Sequence, residues 1–158
     1  MNENIDKLNK FKPASNDFEF QQYPFYWLMR VGSAYSMRME KHIKKQGLNI
    51  TAWRILMILR QMGKLSVTEV ATHAVAKTST ITRATYNLQE KELVIISTSK
   101  NDGRVSIVEL TDKGKVVIAS IIENTQKLFD NIYDGFEADQ IEGFNSALKK
   151  LFVNLEDI

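Results

Sequence analysis

The 158-residue chain has no cysteine, two prolines, two histidines and no long apolar run. Without cysteine there are no disulfides, no thiol redox switch and no thiolate zinc site. His42 and His73 leave a transition-metal site little to build on. The opening MNENIDKLNK lacks the apolar core of a signal peptide, and no stretch suits a bilayer-spanning helix. A cytoplasmic protein with no membrane contact and no cofactor is the expectation. A Gly-rich phosphate loop, a Ser/His/Asp set and a metal cluster are all missing, which argues against an enzyme. The carboxylates of Asp134, Glu137 and Asp139 fall in a turn, where solvation accounts for them. What the chain does have is enough length for one domain with a real core, and no repeat or low-complexity segment.

Charge is unevenly placed. Residues 1–104 hold 16 Lys/Arg against 9 Asp/Glu, whereas residues 105–158 hold 5 against 10. A basic leading two-thirds and an acidic remainder suit a protein with one basic working end.

Residues 1–23 are polar with scattered aromatics (Phe11, Phe18, Phe20) and read as an N-terminal arm. Pro24 fits the first turn of a helix, and the apolar spacing from Phe25 through Ile43 predicts one long helix ending near Gly47. Trp27, Val31 and Ala34 widen its apolar surface, so it must pack against more than one neighbour. Thr51 is the expected N-cap of a second helix, AWRILMILRQMG, with Ile55, Leu56 and Leu59 toward the core and Trp53 and Met57 on one flank. Gly63 closes it. Ser66-Val67-Thr68-Glu69 is a capping box that opens a short third helix.

After the turn HAVAKTST, a fourth helix runs through ITRATYNLQEKEL, with Ile81, Ala84 or Thr85, and Leu88 inward. Lys77, Thr78, Ser79, Thr80, Thr82, Arg83 and Asn87 lie on or near its outer face. Hydroxyls, amides and guanidinium groups donate to phosphates and read base edges. Two β-rich runs, VIIST and VSIVEL, flank the tip SKNDG and predict a hairpin with Val105 and Ile107 half-buried. Lys100 and Arg104 flank that tip. Asp102 stands two residues before Arg104, placed to hold a guanidinium that enters a minor groove.

Thr111-Asp112 caps a helix over 112–133, the chain turns near Gly135, and a last helix places Ile141, Phe144, Leu148, Leu151, Phe152 and Leu155 on one stripe. With one small domain to cover, that stripe is expected to pack on a second copy. The fold class is mainly α with a small β-hairpin wing. It is a winged helix-turn-helix over 66–111, within a single domain over 24–158. The helical segments 24–47 and 112–155 form its dimerisation part.

Over roughly residues 24–155 the chain resembles the MarR family of transcription regulators. The carrying pieces are LNIT-AWRILMIL, KTSTITRATYNLQEKELV, and the set Asp102, Arg104, Leu110, Thr111 and Gly114. Three positions depart from the usual pattern: Glu92 where members carry Gly, Gly103 beside the wing Arg, and Ser97 where many have Arg. The resemblance implies a homodimer on double-stranded DNA, with Arg104 in the minor groove and the start of the fourth helix in the major groove. It also implies repression relieved by a small aromatic acid. The effector site it implies lies between the first helix, the second helix and the base of the reading head, at Trp27, Arg30, Ser33, Met37, Trp53 and Met57. Two-fold symmetry predicts a near-palindromic operator. A winged-helix protein-interaction module without DNA function is the alternative reading.

Overall fold

The computed structural model describes residues 7–157, so the first six residues of the expected arm lie outside the described ones. The chain divides into two compact units, the first ending at Ile122 and the second beginning at Glu123. The elements in order are α1 (Pro24–Ile43), α2 (Ile50–Met62), β1 (Leu65–Ser66), α3 (Val67–His73), α4 (Thr78–Glu90), β2 (Val94–Thr98), β3 (Ser106–Leu110), α5 (Asp112–Ile132) and α6 (Ala138–Glu156). Among the described residues no helix is long and apolar enough to cross a membrane.

Before α1, two single 3₁₀ turns (Asn9–Phe11 and Phe20–Gln22) bury no residue. Phe18, Phe20, Tyr23, Phe25, Tyr26 and Trp27 instead form a chain of ring contacts with centroids 4.5–6.4 Å apart. Pro24 occupies the first turn of α1, where its missing N–H forfeits no helical bond. Only Met39 and Ile43 of this helix are buried. Its stripe therefore enters the core only through its last turns.

The second helix starts earlier than expected. Asn49, not Thr51, is its N-cap, and the Asn49 side chain accepts from the Ala52 N–H at 2.9 Å. Asn is the stronger cap, because its carbonyl oxygen reaches the exposed N–H groups of the first turn; Thr51 is left inside the helix. Ile55, Leu56 and Leu59 are buried as expected. The Ser66 capping box forms in full, with the Ser66 N–H donating to Glu69 Oε2 at 2.7 Å and the Glu69 N–H to Ser66 Oγ at 3.2 Å. The Ser66 side chain, first, and the Ser66 N–H, second, hold the Glu69 carboxyl below its ordinary value.

Three helical segments of the first unit end in one kind of left-handed turn. Gly47, Val75 and Glu92 have φ of +66°, +48° and +60°. In each case the next N–H reaches back five residues: Leu48 to Ile43 (3.2 Å), Ala76 to Ala71 (3.0 Å) and Leu93 to Leu88 (3.0 Å). Each closure satisfies a carbonyl that the helix leaves open. Glycine does this freely; Val75 and Glu92 crowd a Cβ against the following carbonyl. Neighbouring bonds hold both places. Arg54 donates to the Ala74 carbonyl at 3.1 Å, and the Thr111 hydroxyl donates to the Glu92 carbonyl at 2.7 Å.

The inner face of α4 is Ile81, Thr85 and Leu88, so Thr85 rather than Ala84 points inward. Its buried hydroxyl donates to the Thr82 carbonyl at 2.9 Å. The wing has a third strand that the sequence does not announce. The sheet order is β1-β3-β2, all antiparallel, with Leu65 opposite Val108 and Ile96 opposite Val108 on the other side. Val108 is the buried residue of β3, whereas Val105 and Ile107 stay half-buried. Pairing on both edges puts Val108 at the middle of the sheet, over the core.

Behind the wing, α4 and α5 meet at one point. The Leu93 carbonyl accepts from the Thr111 N–H at 3.1 Å. The Gly114 N–H donates to the Thr111 hydroxyl at 2.9 Å. A Cβ on Gly114 would overlap the Leu93 carbonyl oxygen. Only glycine lets the α5 backbone come this close. Gly114→Ala is therefore expected to lower stability by roughly 1–3 kcal/mol, as overpacking does. Denaturant unfolding monitored by circular dichroism checks this; an unchanged midpoint would contradict the close approach.

Candidate nucleic-acid interface

The outer face of α4 carries Thr78, Ser79, Thr80, Arg83 and Asn87, all exposed, and Lys77 is the exposed N-cap residue. Thr82 is half-buried and its hydroxyl donates to the Thr78 carbonyl at 2.8 Å, so its proton is committed within the helix. The start of α4 thus offers hydroxyl, amide and cationic donors together with the unpaired N–H groups and positive dipole end of the helix. No carboxylate lies in its first turn.

At the wing tip, Lys100, Asp102 and Arg104 are exposed. Asp102 Oδ1 accepts from the Arg104 N–H at 2.9 Å and lies 3.6 Å from its Nε. Asp102 thereby restrains both the backbone and the base of the Arg104 side chain, which is 94% exposed. The pair is too solvated to add much stability; its effect is to orient a guanidinium that projects from the hairpin. The Asp-Gly dipeptide does not form a tight two-residue turn. Gly103 is not left-handed, and the Ser99 N–H closes the wider tip onto the Val105 carbonyl at 2.8 Å.

Two grooves flank α4. One, about 560 Å³, brings Thr80, Arg83 and Asn87 together with Asn49, Thr51 and Lys91. The other, about 220 Å³, brings Thr78 and Thr82 together with Arg104 of the wing. Lys77, Ser79, Lys100 and Asp102 line neither. Tyr86 lines the second groove and is 52% exposed. It is not among the residues expected from the sequence, although it stands one helical turn beyond Thr82 on the outer face.

The six expected effector residues are divided. Arg30, Ser33 and Met37 line an open groove of about 340 Å³ with Met29 and Ala34. Trp27, Trp53 and Met57 do not line it. Trp27 is half-exposed and donates its indole N–H to the Gln21 carbonyl at 2.8 Å. The Arg30 guanidinium lies 5.3 Å from the Tyr26 ring and 5.8 Å from the Trp27 ring, within cation–π range. Trp53 is buried, with its indole N–H on the Tyr35 hydroxyl at 3.4 Å. It joins α1 to α2 as a core residue.

A short capped helix, a turn, a helix with an acid-free first turn and exposed donors, and a three-stranded wing with a projecting arginine define a winged helix-turn-helix DNA-binding protein. Comparison with known proteins agrees. The MarR family pattern matches residues 48–106. The HTH-type transcriptional repressor IacR of Pseudomonas putida is 40% identical over 146 residues, covering 92% of this chain and 87% of that one. A MarR family transcriptional regulator from Silicibacter pomeroyi DSS superposes with a TM-score of 0.81 at 25% identity, covering 94% of this chain and 99% of that one. BpsR of Bordetella bronchiseptica, whose DNA binding is regulated by 6-hydroxynicotinic acid, superposes with a TM-score of 0.72 at 18% identity over 85% of this chain and 96% of its own. The chain belongs to the MarR family and is a transcriptional regulator. Regulators of this family bind DNA and act as dimers.

Proposed function

We propose that this regulator is a repressor that reads a near-palindromic operator as a homodimer and is released by a small aromatic carboxylic acid. The observation that carries the DNA part is the pairing of an acid-free α4 start with an arginine held out by Asp102. Thr80 and Arg83 bear on base identity. Lys77, Thr78, Ser79 and Lys100 act through phosphates, Asn87 reads a base edge, and Thr82 contributes only its methyl surface and acceptor oxygen. Arg104 enters the minor groove, where negative potential favours a guanidinium.

Dimerisation falls to the helical segments 24–47 and 112–155. Support comes from α6, which buries none of its residues and leaves Phe144 53% and Phe152 46% exposed. A second copy covers such a face at the least cost in new sequence.

For the effector, Arg30 is the counter-ion. A guanidinium already beside two aromatic rings suits a planar acid, which gains a bidentate clamp and stacking area together. Ser33 and Met37 complete that groove, with Trp27 at its approach; Trp53 braces α1 through Tyr35, and Met57 stands one turn further along α2. The acid that regulates BpsR belongs to BpsR; in this chain the residues around Arg30 are what favour an aromatic acid. Release follows from linkage: an acid that prefers a dimer with wrongly spaced α4 helices must weaken operator binding.

Two measurements test this. Arg104→Ala is expected to weaken binding to any duplex and to lower the slope of log affinity against log salt by about one; unchanged affinity would remove Arg104 from the interface. Calorimetry with benzoate-, cinnamate- and indole-type acids is expected to show binding that Arg30→Ala loses. Equal binding by that variant, or no binding by the wild type, would remove the acid site.

A further inference from the structure

A separate hollow, of about 390 Å³, lies between the end of α2, the end of β3 and the first turns of α5. All the residues that line it belong to the first compact unit. None of them comes from α4, from the wing tip or from the Arg30 groove. Its floor is aliphatic. Leu59 and Ile118 are buried and Leu110 is half-buried. No aromatic ring lines it, whereas Tyr26 and Trp27 stand beside Arg30. Small-molecule sites of this size pair an apolar body with a few fixed polar groups.

The rim supplies those groups. Arg60, Lys64 and Lys115 face one acid, Glu109. Lys115 is already balanced, because its ammonium donates to Asp112 Oδ1 at 2.9 Å. That hydrogen bond first, then the Asp112 charge and lastly the Glu109 charge raise its pKa. Glu109 is thereby engaged with Lys115. Arg60 and Lys64 have no ion-pair partner among the described residues. The chain turns between them at Gly63, with φ of +80°, and both side chains border the same hollow. Their alkyl stems extend the aliphatic surface while their charged ends stay at the rim. Two unpaired cations above an aliphatic floor match an anion that carries an apolar chain.

We propose that this hollow binds an aliphatic carboxylate, with its chain on Leu59, Leu110 and Ile118 and its carboxylate accepting from Arg60 and Lys64. A flexible chain suits the floor better than a planar ring, because nothing there stacks. The site therefore differs from the Arg30 groove in the class of acid it takes, and it stands whether or not that groove holds an aromatic one. An occupant would touch α2, β3 and α5 together, just where β1 leaves α2 to pair with β3. Binding only to the folded chain, it raises stability by mass action.

The test is calorimetry of the whole protein, without DNA, using butanoate, hexanoate and octanoate. Affinity is expected to rise about fourfold for each added methylene. Neutral 1-octanol should bind about tenfold more weakly than octanoate, for want of charge-assisted hydrogen bonds. The combined variant Arg60→Gln, Lys64→Gln should lose octanoate affinity about tenfold, and Arg30→Ala should keep it. Arg60 and Lys64 are exposed, so the combined variant should unfold at the wild-type temperature without ligand. Octanoate should then raise the midpoint of the wild type more than that of the variant. Unchanged octanoate affinity in the combined variant would overturn the assignment. An affinity flat with chain length would also overturn it, because charge alone would then hold the acid. Octanoate lost by Arg30→Ala but kept by the combined variant would move the acid to the Arg30 groove and overturn it as well. No binding of octanoate by the wild type would overturn it outright.

Discussion

The reading head depends on one close approach, the packing of Gly114 against the Leu93 carbonyl. Around it the backbone of α5 and the end of α4 share bonds: the Thr111 N–H to Leu93, the Thr111 hydroxyl to Glu92, and the Gly114 N–H to Thr111. Outside these, Lys113 pairs with Glu92 at 2.6 Å and holds its carboxyl below the ordinary range. That outer pair is solvated and adds little by itself. The inner bonds are short and in part shielded, and they fix where the recognition helix ends. A helix fixed at its far end presents its first turns at a defined height and angle, which is what reading a groove demands.

The same joint explains a residue that looks misplaced. Glu92 adopts a left-handed conformation that favours glycine, and does so because its carbonyl and its side chain both find partners on the start of α5. Strain at this turn and attachment to the next helix are two sides of one design. Val75, at the turn before α4, holds a comparable conformation. Both ends of the segment that carries the recognition helix are thus bounded by turns a β-carbon resists, each secured by a neighbouring donor.

Much of the reading head is legible in the sequence because its determinants are local. The Ser66–Glu69 box, the helix ends at Gly47 and Gly63, and the Asp102–Arg104 pair each work across a few residues, and each forms. The misreadings arise where distant partners decide. β1 has two residues, too few to show alternation, and exists only because β3 has a free edge there. Asn49 displaced Thr51 as cap because neighbouring polar residues compete for the same N–H groups and the sequence does not rank them decisively. The partner of the Trp53 indole N–H, Tyr35 on α1, lies eighteen residues away and is not announced by spacing along α2. Tyr86 went unassigned because only the return of the wing, across the whole hairpin, makes its outer-face position part of a cleft.

The central claim is that this head reads sequence as a symmetric pair. The most direct measurement is to incubate the protein with sheared DNA from the genome that encodes it and sequence what it retains. The account predicts enrichment of one near-palindromic site with half-sites about one helical turn apart. Retention that depends on salt but enriches no common site would contradict it, because the protein would then hold the DNA backbone without reading its bases.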